Sequence, residues 1–153
     1  MVTALLAYPG IDVNAADANG WTALIRAADR GHTEMFMALL AAPGLDVNAA
    51  NANGRTALMR AAYVGRTEMV AALLAAPGLN VNAADRDGWT ALMLAADGGH
   101  AVVVTALLAY PGVDVRAANA HGRTARALAK AKGHVQIASL LRAAGNNTCC
   151  TIN

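Results

Sequence analysis

Residues 17–50, DANGWTALIRAADRGHTEMFMALLAAPGLDVNAA, decide the fold because the chain writes them again and again. They return as NANGRTALMRAAYVGRTEMVAALLAAPGLNVNAA over residues 51–84 and as DRDGWTALMLAADGGHAVVVTALLAYPGVDVRAA over residues 85–118, and a fading fourth copy starts at Asn119. The turn glycines Gly20, Gly54, Gly88 and Gly122 stand 34 residues apart, as do the Pro-Gly pairs beginning at Pro9, Pro43, Pro77 and Pro111. A fixed period of about 20 to 50 residues marks a stacked solenoid. In such an array each unit touches only its neighbours, and the core is a long thin strip.

The punctuation inside each unit is readable. Thr22, Thr56, Thr90 and Thr124 stand just before Ala-Leu or Ala-Arg, where a hydroxyl can accept from the free amides of a first helical turn. Gly31, Gly65, Gly99 and Gly133 then stop a short helix where a left-handed residue is least costly. A second helix is expected from Thr33, Thr67, Ala101 and Val135, with paired leucines at Leu39-Leu40, Leu73-Leu74, Leu107-Leu108 and Leu140-Leu141, and Pro-Gly ends it. The remainder, such as Leu45-Asp46-Val47-Asn48, reads as extended backbone that turns at Asp-x-x-Gly. Each unit is thus finger, helix, turn, helix.

At 153 residues the chain is 56% hydrophobic but only 4% aromatic, and alanine, the strongest helix former, is the largest single part of the apolar content. No apolar run approaches the roughly 20 residues that span a bilayer, and the N-terminus lacks the charged region and cleavage site of a secretory signal. The expected location is intracellular and cytoplasmic. The net charge of +2 hides an asymmetry: 6 basic against 10 acidic residues up to Asp114, then Arg116, Arg123, Arg126, Lys130, Lys132 and Arg142 with no acid. No aromatic stacking platform accompanies that basic end, so a solvated terminal unit is favoured over nucleic-acid binding. Cys149 and Cys150 are the only cysteines, too few for a disulfide framework or a zinc site.

Residues 1–16 match the second half of a unit, so the chain opens at a second helix whose own first helix is absent. A terminal unit needs a polar outer face, yet this one offers Leu5 and Leu6. Either the chain is a segment of a longer array or its first unit is covered by a partner or a second copy, in end-to-end contact through the uncapped half unit. The capping argument favours the segment.

Gly20-Trp21-Thr22-Ala23-Leu24, Ala27-Ala28, Gly31-His32, Leu39-Leu40 and Asp46-Val47-Asn48 resemble the ankyrin repeat, in a variant with Ala for the usual Pro after Thr and with Met or Ile for the usual His. The period is one longer than the roughly 33 residues of that family, with the extra residue in the Ala-Pro-Gly turn. The resemblance implies an all-α ankyrin-repeat solenoid of stacked helix-turn-helix pairs with hairpin-like fingers, forming one domain over residues 1–146. Its units are a half repeat over residues 1–16, full repeats over 17–50, 51–84 and 85–118, and a C-terminal capping repeat over 119–146; residues 147–153 are expected to be a flexible tail. In the fourth copy Arg126 replaces the leucine of Leu24, Leu58 and Leu92, and Lys130 replaces the second alanine of the Ala-Ala pair, as a cap requires. The same replacements could make a basic pocket.

The resemblance also implies a function in protein recognition, on a concave face made of finger tips and first helices. Carried over position by position, it nominates Asn19, Asn53, Asp87 and His121 before the turn glycine and Trp21, Arg55, Trp89 and Arg123 after it. On the first helices it nominates Arg26, Arg30, Arg60 and Tyr63. Trp, Tyr and Arg are the residues enriched in interface hot spots. Packing between neighbouring fingers is an equal reading for Trp21 and Trp89. The positive lining predicts a ligand with acidic and apolar side chains.

Catalysis finds no support. His32, His100 and His134 share one repeat position and His121 lies in a turn, with no nucleophile or carboxylate in triad-like spacing. Asp85-Arg86-Asp87-Gly88 lacks the downstream Glu of a calcium loop, and no phosphate-cradling glycine loop is present. The expectation is a non-enzymatic chain without cofactor or metal, whose partner is another protein or peptide segment. The alternatives are a structural fragment of a larger array and a membrane-tethered adaptor, prenylated at Cys150 with Cys149 as a second acylation site; membrane contact is expected only if Cys150 is lipidated. Cys-Thr-Ile-Asn fits the outline of a prenylation box, although a terminal Asn lies outside its usual residues. By resemblance, Asn14 and Asn48 stand in the Leu-x5-Asp-Val-Asn pattern that asparaginyl hydroxylase modifies, while bracing of the finger is the structural reading. Asn146-Asn147-Thr148 is a glycosylation sequon in letters only, irrelevant without secretion.

Overall fold

The structure, a computed structural model, describes residue 4 and residues 6–147. Eight helices follow the half unit in four antiparallel pairs: α1 (Ala23–Arg30) with α2 (Thr33–Leu40), α3 (Ala57–Val64) with α4 (Thr67–Leu74), α5 (Ala91–Gly98) with α6 (Ala101–Leu108), and α7 (Ala125–Ala131) with α8 (Val135–Asn147). Each helix packs on its own partner and on the corresponding helix of the next pair, so first helices form one layer and second helices another. The predicted solenoid is therefore the observed one.

Local chemistry sets the helix ends. The hydroxyl oxygens of Thr22, Thr56, Thr90 and Thr124 accept from the backbone amides of Ile25, Met59, Met93 and Ala127 at 3.3 to 3.4 Å, each closing a first turn. At the other end of α3, Gly65 adopts φ 77°, and its amide reaches back to the carbonyls of Ala61 and Ala62. A side chain there would meet a second obstacle, because an added Cβ would come within 2.5 Å of the His100 ring of the next unit. The second helices stop earlier than the Pro-Gly reading suggests, with Ala41, Ala75 and Ala109 as caps two residues before each proline. The residue preceding a proline is driven out of helical backbone, so the helix must close before Ala42, Ala76 and Tyr110. At the far end α8 runs through Asn147, one residue past the boundary expected for the last unit.

The core is a strip of small residues from one layer against large residues from the other. First helices contribute Leu24, Leu58, Leu92 and Leu128 and the alanines Ala27-Ala28, Ala61-Ala62, Ala95-Ala96 and Ala129, all buried. Second helices contribute Phe36 and Leu39; Met69, Val70 and Leu73; Val103, Val104 and Leu107; and Ile137 and Leu141. Methyl-sized side chains let the first helices stack closely while the bulk behind them fills the space.

The fingers are minimal hairpins with one antiparallel bridge each, Ala16 to Thr22, Ala50 to Thr56, Ala84 to Thr90 and Ala118 to Thr124. The first side chain of each turn braces it: Asp17, Asn51, Asp85 and Asn119 accept from the amides two and four residues on. Successive fingers are joined by one backbone bond per step, from Ala52, Arg86 and Ala120 to the carbonyls of Asn19, Asn53 and Asp87 at 2.9 to 3.0 Å.

A candidate partner-binding face

The nominated residues do not form one uniform ladder, because the stack brings together only some of them. Trp21 stands half-buried after the first turn. The guanidinium of Arg26, from α1, lies 5.2 Å from the centre of its ring, and that of Arg60, from α3 of the next unit, lies 5.6 Å away. Arg60 also sits 5.5 Å from the ring of Tyr63, which is 49% exposed. Both cations are stacked where a ring quadrupole attracts them.

Both cations also have acidic partners within the stack. Arg26 bonds the carboxylate of Asp17, and Arg60 bonds that of Asp29. The Arg26 pair is open to solvent, whereas Arg60 is only 16% exposed and leaves its Nε buried without a partner. The Asp17 carboxyl is held below the ordinary carboxylate range, first by its hydrogen bond from Arg26 and then by the Trp21 amide. Farther along, Arg55 does not line a free surface either: its Nε donates to the buried carboxylate of Asp85 at 3.3 Å. The expected positive lining is thus largely neutralised from within, which removes the argument for an acidic ligand on this face.

The remaining nominees are scattered. Asn19, Asn53 and Asp87 are exposed at the finger tips, where their carbonyls carry the ladder between fingers. Arg30, His121 and Arg123 are exposed, with no side-chain partner among the described residues. Trp89 is half-buried against the core, and the positions that hold Arg26 and Arg60 beside Trp21 hold the buried Leu94 and Leu128 at its own step. The two tryptophans therefore occupy different surroundings, one polar and one apolar. A signal for the ion pairs was present in the letters. Where Trp21 and Trp89 stand at the tip, the next turn begins with Asn51 and Asn119; where Arg55 stands, it begins with Asp85. The charge is supplied only where a cation faces it, and the Nδ2 atoms of Asn51 and Asn119 are buried without partners.

Asn14 and Asn48 act as braces between units. Each donates its side-chain amide to the carbonyl of the next Pro-Gly turn, Gly44 or Gly78, at 2.8 Å, and accepts from the backbone of Asp46 or Asn80 at 2.7 to 2.8 Å. Asn82 repeats the arrangement with Gly112 and Asp114. Cys149 and Cys150 lie outside the described residues. Among the described residues no helix is long and apolar enough to cross a membrane, and no group of three or more His, Cys, Asp or Glu could hold a metal ion.

The family model for ankyrin repeats, three copies, matches residues 1–85 and 73–151. The chain belongs to the ankyrin-repeat family. No curated protein matches it. Ankyrin repeats are in general protein–protein interaction modules.

Proposed function

We propose that the chain is a non-catalytic ankyrin-repeat module that binds a protein segment on its concave face, anchored at Trp21, Arg26, Arg60 and Tyr63. The observation that carries this reading is Arg60, held between two aromatic rings from adjacent units and tied to Asp29. A guanidinium fixed in this way has already lost its rotamer freedom, so a partner that covers it meets a surface organised in advance. Tyr63 is exposed beside it and offers a ring face and a hydroxyl. Because Asp17 and Asp29 neutralise the two arginines, the patch favours apolar and aromatic side chains with a few hydrogen-bonding groups over a run of acids.

Affinity capture with the parent chain and with Tyr63→Ala and Trp21→Ala variants tests the reading, once circular dichroism shows each variant folded. A partner held by the parent and lost by both variants supports it. Capture of the same proteins by all three would move the docking face elsewhere.

A further inference from the structure

The outer end of the fourth unit carries a cavity of about 300 Å³ between α7 and α8, lined by Arg126, Lys130 and Arg142 together with Ser139 and Val135. No acid lines it, and none follows Asp114 in the sequence. By contrast, Arg26, Arg55, Arg60 and Lys132 each face an aspartate. Arg126, Lys130 and Arg142 are all exposed and have no side-chain partner among the described residues. All three replace apolar repeat letters, since the earlier copies have Leu24, Leu58 and Leu92 at the first position, Ala28, Ala62 and Ala96 at the second, and Leu40, Leu74 and Leu108 at the third.

Capping alone does not account for this choice. A solvent-facing end needs polar residues of either sign, and a mixed set would have been self-compensating. Arg126 and Lys130 instead stand four apart on one short helix, where like charges repel. That repulsion is relieved by an anion held among the three. The start of α8, marked by Gly133 and Val135 at the cavity wall, adds the positive end of a helix dipole on the same side.

We propose that this cavity binds a phosphomonoester, presented as a phosphorylated side chain on a protein segment. Two charges and three terminal oxygens match three cationic donors around one concavity, whereas a carboxylate brings one charge and two oxygens. The guanidinium forks of Arg126 and Arg142 suit phosphate, and the Lys130 ammonium adds a point charge. Val135, 74% exposed at the rim, gives the flanking residues an apolar seat. The choice of a phosphorylated side chain over other phosphate esters rests on the reading of the chain as a protein-binding module; the concave face is not involved.

The test is fluorescence anisotropy with a labelled short peptide carrying one phosphoserine among neutral residues, its unphosphorylated twin, and vesicles containing phosphatidic acid. The phosphopeptide should bind at least about tenfold tighter than its twin, and an Arg126→Gln, Lys130→Gln, Arg142→Gln variant with an unchanged circular dichroism spectrum should lose at least about tenfold. Tyr63→Ala should bind the phosphopeptide as the parent does, which separates this site from the concave face. Equal binding of the two peptides, full retention by the triple variant, or binding to the vesicles without binding to the phosphopeptide would each overturn the proposal.

Discussion

Arg60 joins two units through three groups, the carboxylate of Asp29, the ring of Trp21 and the ring of Tyr63. Replacing Asp29 by Ala leaves a mostly buried guanidinium without its counter-charge, and should cost about 1–3 kcal/mol in urea unfolding. Tyr63→Ala removes an exposed ring and should change stability by less than about 1 kcal/mol, so its effect on partner capture is readable apart from folding. Asp17 offers a pH test of the same face. Its carboxyl is depressed below the ordinary value of 3.8 by Arg26, so its contribution is fully present above that value and is lost as pH falls through the lower folded one. An NMR titration should place the Asp17 midpoint below that of an unstructured peptide, and Arg26→Ala should raise it; an unchanged midpoint would mean that the ion pair does not form in solution.

At the scale of the element, most of what shapes a unit is local and was legible. The Thr caps, the stopping glycines and the starts of the second helices follow from side chains that act within four residues of their own position. The joints between elements were harder to read, since they depend on how near the next unit lies. Asn48 shows the difference: its letters suggest a finger brace, and its amide in fact spans to Gly78 and Asn80 in the following unit. Asn48→Ala should therefore cost about 0.5–1.5 kcal/mol through the loss of these solvent-accessible bonds, measurable by thermal unfolding. Glycine substitution separates local strain from neighbour contact. Gly65 and Gly133 have φ 77° and 79°, but an added Cβ meets the His100 ring at the first and nothing within 4 Å at the second. Both Gly→Ala changes carry the left-handed penalty of roughly 1–2 kcal/mol, and Gly65→Ala should exceed Gly133→Ala because His100 must also give up its 3.0 Å bond to the Tyr63 carbonyl.

At the scale of the whole molecule, stability is a sum of unit and interface terms along one axis. Leu58 and Leu128 are both fully buried leucines of first helices, one in an interior unit and one in the fourth. Each Leu→Ala change should cost about 2–5 kcal/mol, but hydrogen exchange should register them differently. Leu128→Ala should release protection in α7 and α8 alone, while Leu58→Ala lowers protection in α1 through α6; uniform loss in both would mean that the stack unfolds as one unit. The 34-residue period, the helix caps and the small-against-large core were determined by the sequence itself, because each depends on side chains acting on their own backbone or on the identical position one unit away. Which charges meet was decided only by the tertiary structure. Arg26, Arg55 and Arg60 find carboxylates at Asp17, Asp85 and Asp29, two of them in another unit, and Arg126, Lys130 and Arg142 find none. A repeat letter places a side chain on a face, but a long flexible cation chooses its partner by the spacing and rotation of stacked helices, and no single unit encodes that geometry.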